Sequence, residues 1–224
     1  MISSHLLLII RDREAKGVWG CQLESNKRNR NMSKQNKRLN RSFFNNKTTL
    51  ELAQDLLGKV LVHKSPAGII KGIINETEAY SQDEESCHAF GGKRSKRNEV
   101  MFWRAGHLYV YFTYGMHYCI NIVTGEPDRA EAVLIRSVLP LEGRDIMLFN
   151  RKGRHKNLAD GPAKLAMAYG FDKAHNGVDL LDRQSDIYLE EQGYKPEEVT
   201  QTERIGISKA KELPWRFVCR KCLQ

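Results

Sequence analysis

Regular hydrophobic patterning starts at Thr48. Thr48 with Glu51 three residues on fits a capping box, in which each side chain satisfies a backbone N–H at the start of a helix. Leu50, Ala53, Leu56 and Leu57 then recur at helical spacing, and Gly58 supplies the stop. Residues 59–64 and 68–80 read as strands joined by a turn at Ser65-Pro66-Ala67-Gly68. Residues 81–100 are polar and contain glycine, so a long loop is expected, and a loop of that length inside a compact domain is functional or disordered. Residues 107–114 alternate with aromatics as a strand, Gly115 marks a turn, and 117–123 return as a second strand; 132–139 are a third. Helices are expected over 141–149 and 163–169, with Pro162 suiting the first turn of the latter and Gly170 its end. Residues 204–219 read as a short strand, a turn at Pro214 and a last strand.

Before residue 48 periodicity is weak. Residues 25–46 are rich in Asn, Lys, Arg and Ser and hold no acid, a composition that buries too little apolar surface to fold alone. A flexible basic arm is therefore expected over residues 1–42, with the ordered body over 43–224. This placement changes the meaning of the net charge. The chain of 224 residues carries a formal +9, which by itself suggests a polyanionic partner. Residues 1–50 hold 11 basic and 3 acidic side chains, so the body is close to neutral. Mean hydropathy is −0.54, as in a soluble globular chain. The longest aliphatic run, Leu6 to Ile10, is far short of a membrane helix and lacks the flanks of a secretory signal, so no membrane partner is expected. Five cysteines, with a single C-x-x-C at Cys219 and Cys222, point to a reducing compartment rather than a disulfide framework or a zinc site.

Three clusters could carry chemistry. In Glu76-Thr77-Glu78-Ala79-Tyr80, strand alternation points Glu76, Glu78 and Tyr80 one way and Asn75, Thr77 and Ala79 the other. That face suits a carboxylate activating water beside a ring that stacks on a flat substrate; it equally suits an edge strand with a solvated acidic face. His88 is followed by Gly91-Gly92 and then Lys93, Arg94, Lys96, Arg97 and Asn98, a mixture that contacts phosphates or decorates an ordinary surface loop. In residues 108–118, Leu108, Val110 and Phe112 are expected in the core and Tyr109 and Tyr111 on the opposite face. Tyr114 falls at the hairpin tip, where it can stack on a base or wedge into a duplex. Arg136 interrupts an apolar strand. A buried charge needs a partner, and Glu78 is the expected one.

These residues occur in an order that resembles the alkyladenine (3-methyladenine) DNA glycosylases, the monofunctional type shared by bacteria and animals. The resemblance rests on Glu76-Thr77-Glu78-Ala79-Tyr80, His88 with Gly91-Gly92, Arg97-Asn98, Met101-Phe102, Leu108-Tyr109-Val110-Tyr111, Tyr114-Gly115-Met116, Asn121, Leu134-Ile135-Arg136 and Gly161-Pro162-Ala163-Lys164-Leu165. It runs from about Phe43 to Phe217, and the last residues depart from it. It implies base-excision repair: hydrolysis of the N-glycosidic bond of alkylated, and also deaminated, purines flipped out of duplex DNA, leaving an abasic site. Glu78 would be the general base. Arg136 and the main-chain carbonyl of Ile205 would help hold the attacking water. Tyr80, His88, Tyr111 and Asn121 would line the base pocket, Asn121 crowding the exocyclic amine of guanine. Tyr114 would fill the vacated space, with Lys93, Arg94, Lys96, Arg97, Asn98 and Lys164 along the DNA. No metal or cofactor, a monomer, and a location with the cell's DNA, the bacterial cytoplasm favoured over a nucleus, complete the expectation. The expected fold is a mixed α+β domain around a curved, mainly antiparallel sheet with flanking helices.

Overall fold

A computed structural model describes residues 37–223; residues 1–36 of the expected arm, with Cys21, lie outside the described residues. The helices are α1 (Thr49–Asp55), α2 (Arg144–Asn150) and α3 (Pro162–Tyr169). The strands are β1 (Lys37–Arg38), β2 (Val60–Ser65), β3 (Gly68–Ser81), β4 (Leu108–Thr113), β5 (His117–Val123), β6 (Glu131–Glu142), β7 (Ile187–Glu191), β8 (Lys195–Thr202) and β9 (Arg216–Leu223). The class is the mixed, mostly antiparallel one expected. Along the sheet the order is β7-β2-β3-β6-β5-β4, with β9 beside β3 and β8 beside β9.

Local chemistry accounts for the first elements. At α1 the Thr48 N–H donates to Glu51 Oε2 (2.7 Å) and the Glu51 N–H to Thr48 Oγ1 (3.3 Å), the reciprocal box read from the sequence. Gly58, at φ 79°, turns the chain back so that its N–H reaches Ile74 O (2.8 Å). That conformation is open to glycine and strained for most residues. Leu52, Ala53, Leu56 and Leu57 are buried against Ile70 and Ile74 of β3 and against Val133, Ile135 and Val138 of β6. Tyr169 at the end of α3 is fully buried, and its hydroxyl donates to Leu61 O (3.1 Å), which pins α3 to β2.

The 14-residue β3 is the axis of the sheet. One edge runs along β6 from Lys71 to Ser81; the other pairs with β2 up to Ile73 and with β9 at residues 76–78. β3 is thus internal, which removes the solvated-edge reading of its acids.

Several elements differ from expectation. β6 continues to Glu142, so the helix expected from 141 begins at Arg144, after Gly143 at φ 73°. β7 and β8 lie where no strand was expected. β8 is exposed along nearly its whole length, and its pairing with β9 is a backbone ladder that leaves no hydrophobic signature. The short strand expected at 204 is a loop, while the last strand extends to Leu223. Phe112, expected in the core, is 47% exposed. The reason is that β5 pairs with β6 only at Asn121–Val123, so the far half of the β4–β5 hairpin projects beyond the sheet. Ordered contacts also begin before Thr48: Arg38 stacks on the Tyr188 ring (3.4 Å to its centroid) and donates to Arg183 O (2.6 Å), Arg41 donates to Ala105 O, and Phe44 enters the core. Composition alone does not reveal such distant partners.

Candidate active site

The pairing of β3 with β6 slips twice around Glu76: Ile74 faces Val138, Glu76 faces Ser137 and Thr77 faces Ile135, leaving Asn75 and Arg136 without Cα partners. Bulges of this kind re-aim side chains. Thr77 donates to Ala53 O of α1 (2.7 Å), and Ala79 packs in the core. Glu76, Glu78 and Tyr80 share the other face, as expected. There Arg136 Nε donates to Glu76 Oε1 (2.8 Å), and its Nη1 lies 3.2 Å from Glu78 Oε1. Arg216 of β9 adds a second guanidinium on Glu76 Oε1 (2.7 Å). Two carboxylates and two guanidiniums thus form a neutral buried cluster. Burial works against the Arg136 charge, but Glu78 and Glu76 outweigh it and hold its proton more firmly than usual.

Glu78 is completely buried. Its Oε1 accepts the Ile205 N–H (2.8 Å) as well as Arg136, and its Oε2 accepts the Tyr80 hydroxyl (2.9 Å). A carboxylate offers about four acceptor sites, so these three donors leave about one for a further ligand. Ile205, whose carbonyl is the group expected to help hold the attacking water, meets Glu78 through its N–H. Burial, with Glu78 next, pushes the Tyr80 hydroxyl far above the usual phenol range, so it remains a donor.

Above this cluster lies a cavity of about 340 Å³, lined among others by Tyr80, His88, Tyr111, Asn121, Arg136 and Ile205. That volume is enough for one small ligand. The predicted base-pocket residues therefore meet at one place, and Glu78 sits just beneath the lining. His88 stands edge-on to Tyr111, with centroids 4.6 Å apart, and its Nδ1 is 3.1 Å from the Tyr109 hydroxyl. Loss of hydration in this wall, and secondarily Arg97, lower the His88 imidazole from its ordinary value, so it is neutral at pH 7. Tyr111 lies opposite Cys119 across the β4–β5 pair, and burial, with Cys119 next, pushes its hydroxyl far above the usual phenol range. Asn121 is buried opposite Tyr109 and donates to Tyr109 O (3.2 Å).

The hairpin, through Thr113 and Tyr114, and the 205–209 loop border the cavity, and the basic loop meets the hairpin through Arg97. Tyr114 is 79% exposed at φ 51°, with Gly115 and the exposed Met116 completing the turn. Arg97 donates to Phe112 O (3.1 Å), near the far end of the hairpin. Lys93 and Lys96 are exposed beside it, and Lys164 is half-buried in the first turn of α3, whose Gly161 N–H donates to Arg136 O (3.0 Å). Two members of this basic set are turned to other work. Arg94 pairs with Glu99 and Asp128 and stacks on Phe102. Asn98 is buried, donating to His88 O and Lys93 O and accepting from Ser95, so it staples the loop shut.

Comparison with known proteins gives this arrangement a family. The profile of the Methylpurine-DNA glycosylase (MPG) family matches residues 42–222. A relative from Carboxydothermus hydrogenoformans, named "Putative 3-methyladenine DNA glycosylase", is 46% identical over 175 residues, 78% of this chain and 91% of the relative. Proteins of the same name from Francisella tularensis (46% over 172 residues, 75% of this chain and 89% of the relative) and Desulfitobacterium hafniense (42% over 194 residues, 81% and 94%) match similarly. The chain belongs to the methylpurine-DNA glycosylase family. By family it is a DNA glycosylase, a hydrolase acting on N-glycosyl bonds. The match reaches residue 222, further than the resemblance read from the sequence, in keeping with the longer β9.

Within this glycosylase three contributors escaped sequence reasoning. Arg216 stood in the expected last strand with nothing to mark its acid partner. Tyr109 was placed on the pocket side without a partner, and it is the hydroxyl that meets His88. Arg204 stands beside Ile205 in a segment with no sign of burial, yet its side chain is wholly buried. An arginine in a segment otherwise free of apolar pattern carries no signal of burial; only the acid at Glu84, 120 residues earlier, explains it.

Proposed function

We propose that this chain excises alkylated purines, and deaminated ones with them, from double-stranded DNA by monofunctional hydrolysis. The observation that carries the reading is Glu78: a wholly buried carboxylate held by three fixed donors, among them two residues of the wall of an aromatic cavity, Tyr80 and Arg136. In the proposed step a water hydrogen-bonded to Glu78 attacks C1′ of the flipped nucleotide. Glu78 takes the water's proton, the C1′–N9 bond breaks with its electron pair going to the base, and the new C1′–O bond leaves an abasic site. An alkylated purine already carries positive charge, so it leaves with little acid assistance, and the rings of Tyr80 and Tyr111 favour a cationic base. Arg136 fixes Glu78 and Asn121 narrows the pocket against guanine. Water rather than an amine fits as nucleophile: the side chains reaching Glu78 are Arg136 and Tyr80, while Lys209 at the cavity rim is paired with Glu85 (3.1 Å). The enzyme acts as a monomer without metal or cofactor, wherever the cell holds its DNA. Among the described residues no helix is long and apolar enough to cross a membrane.

The deciding experiment presents defined duplexes, each with one lesion, to the purified protein and detects free base by chromatography. Release from 3-methyladenine or 7-methylguanine duplexes is expected, with unmodified guanine untouched. Absence of release from every lesion would defeat the proposal.

Tyr114 supports the flipping part. Exposed as it is, Tyr114→Ala is expected to leave stability within about 0.5 kcal/mol of wild type. DNA affinity is expected to fall on the order of tenfold, the scale of one lost base-stacking contact. Fluorescence anisotropy with a labelled lesion duplex measures it, and unchanged affinity would remove the wedge role. The basic arm is expected to add salt-dependent, sequence-independent affinity. Its deletion should stop at residue 36, because Arg38 and Arg41 hold the body; weaker binding at low salt with undiminished release at saturating DNA is the expected outcome.

A further inference from the structure

Arg204 is the side chain through which three separate parts of the cavity wall meet. Its Nη1 donates to Ala79 O (3.0 Å), the peptide between Glu78 and Tyr80, and to Glu84 Oε1 (2.8 Å). Its Nη2 donates to Glu84 Oε2 (3.0 Å) and to Ala210 O (3.2 Å). Its Nε is buried without a partner. The guanidinium lies between two rings, 4.7 Å from the centroid of Tyr80 and 5.2 Å from that of Trp215. Glu84 in turn accepts the N–H (2.8 Å) and hydroxyl (2.6 Å) of Ser86, a residue of the cavity lining two positions before His88. The residue after Arg204 is Ile205, whose N–H is one of the three donors on Glu78.

We propose that Arg204 is a positioning residue for base release: its fork, closed on Glu84, locks the 204–210 loop to β3, so that the Ile205 N–H stays on Glu78 and Tyr80 is backed in its stacking position. Arg204 meets neither substrate nor water, since Tyr80 intervenes. The role needs a planar fork, with several donors at fixed angles; a lysine carries the charge but cannot reach Glu84, Ala79 and Ala210 together. This inference rests on the proposed function, because it assigns the arginine to the geometry of that reaction.

Arg204→Lys is the first test. Removing one partner of a buried pair endangers folding, so a second variant replaces both, Arg204→Met with Glu84→Leu, an exchange that buried ion pairs often tolerate. Thermal melting establishes that each variant is folded. Single-turnover release of 3-methyladenine at saturating enzyme is then followed, and affinity is measured on a labelled duplex carrying a tetrahydrofuran abasic analogue. In both variants the rate constant per folded molecule is expected to fall on the order of 100-fold, the scale of a 1 Å misplacement, with affinity within about twofold of wild type. A purely structural arginine would lower melting and leave the rate constant per folded molecule unmoved, and that result overturns the inference. So does full rate in Arg204→Lys, which would mean that charge alone suffices. Wild-type protein inert on every lesion overturns the proposed function and this inference with it; active wild type with undiminished variants overturns this inference alone.

Discussion

Glu78→Gln is expected to lower single-turnover base release about 1,000-fold, within the range that general-base removal costs, while leaving DNA binding near wild type. The amide keeps the size of the carboxylate and fits the same hole, and one oxygen still accepts the Ile205 N–H. It cannot take a proton from water at neutral pH, and with its oxygen kept on the Ile205 N–H and Arg136 its NH₂ presents a donor to the Tyr80 hydroxyl where an acceptor stood. Binding should survive because the exposed hairpin tip, Tyr114, and the exposed basic residues Lys93, Lys96 and Arg97 are untouched. The comparison is made with enzyme in excess over a 3-methyladenine duplex, so that product release does not mask the chemical step. A Gln variant that releases base at the wild-type rate would remove Glu78 from the reaction.

The second large effect falls on stability. Arg136→Ala is expected to cost about 3–5 kcal/mol, the range for stripping one partner from a buried ion pair. Arg216 still reaches Glu76, but Glu78 then keeps only neutral donors while remaining fully buried. Urea denaturation at pH 7 measures the loss as a lower midpoint. An unchanged midpoint would show that the cluster is held otherwise. Activity should fall with the same substitution, so rates are compared per folded molecule.

The legible parts of this protein are those whose cause is local. Thr48 and Glu51 announce α1 because each needs only the other. The hairpin at Tyr114 and Gly115 announces itself through aromatic alternation broken by a glycine. The pairing of Glu78 with Arg136 was legible too, since a charge inside an apolar strand demands a partner. What stayed hidden depends on distant chain. β8 has no apolar face, so its existence follows from the free backbone edge of β9. Phe112 looked like a core residue because its neighbours are, and it is exposed because β6 does not extend beneath it. Arg94 and Asn98 read as DNA contacts from composition, yet one faces Glu99 and Asp128 and the other ties its own loop.

The double slip of register between β3 and β6 has a consequence in parity. Up to Ile74 the even-numbered residues of β3, Ile70 and Ile74, enter the core beneath α1; after Glu76 the odd-numbered ones, Thr77 and Ala79, turn that way. β6 changes in step, with Val133 and Ile135 in the core before the slip and Val138 after it. In an unbroken strand Glu76, Glu78 and Tyr80 would have pointed with Ile70 and Ile74 into the hydrocarbon, where two carboxylates have no place. The placement of these acids therefore depends on a change of phase: the same even-numbered series that builds the core in one half of β3 builds the acidic face beneath the cavity in the other.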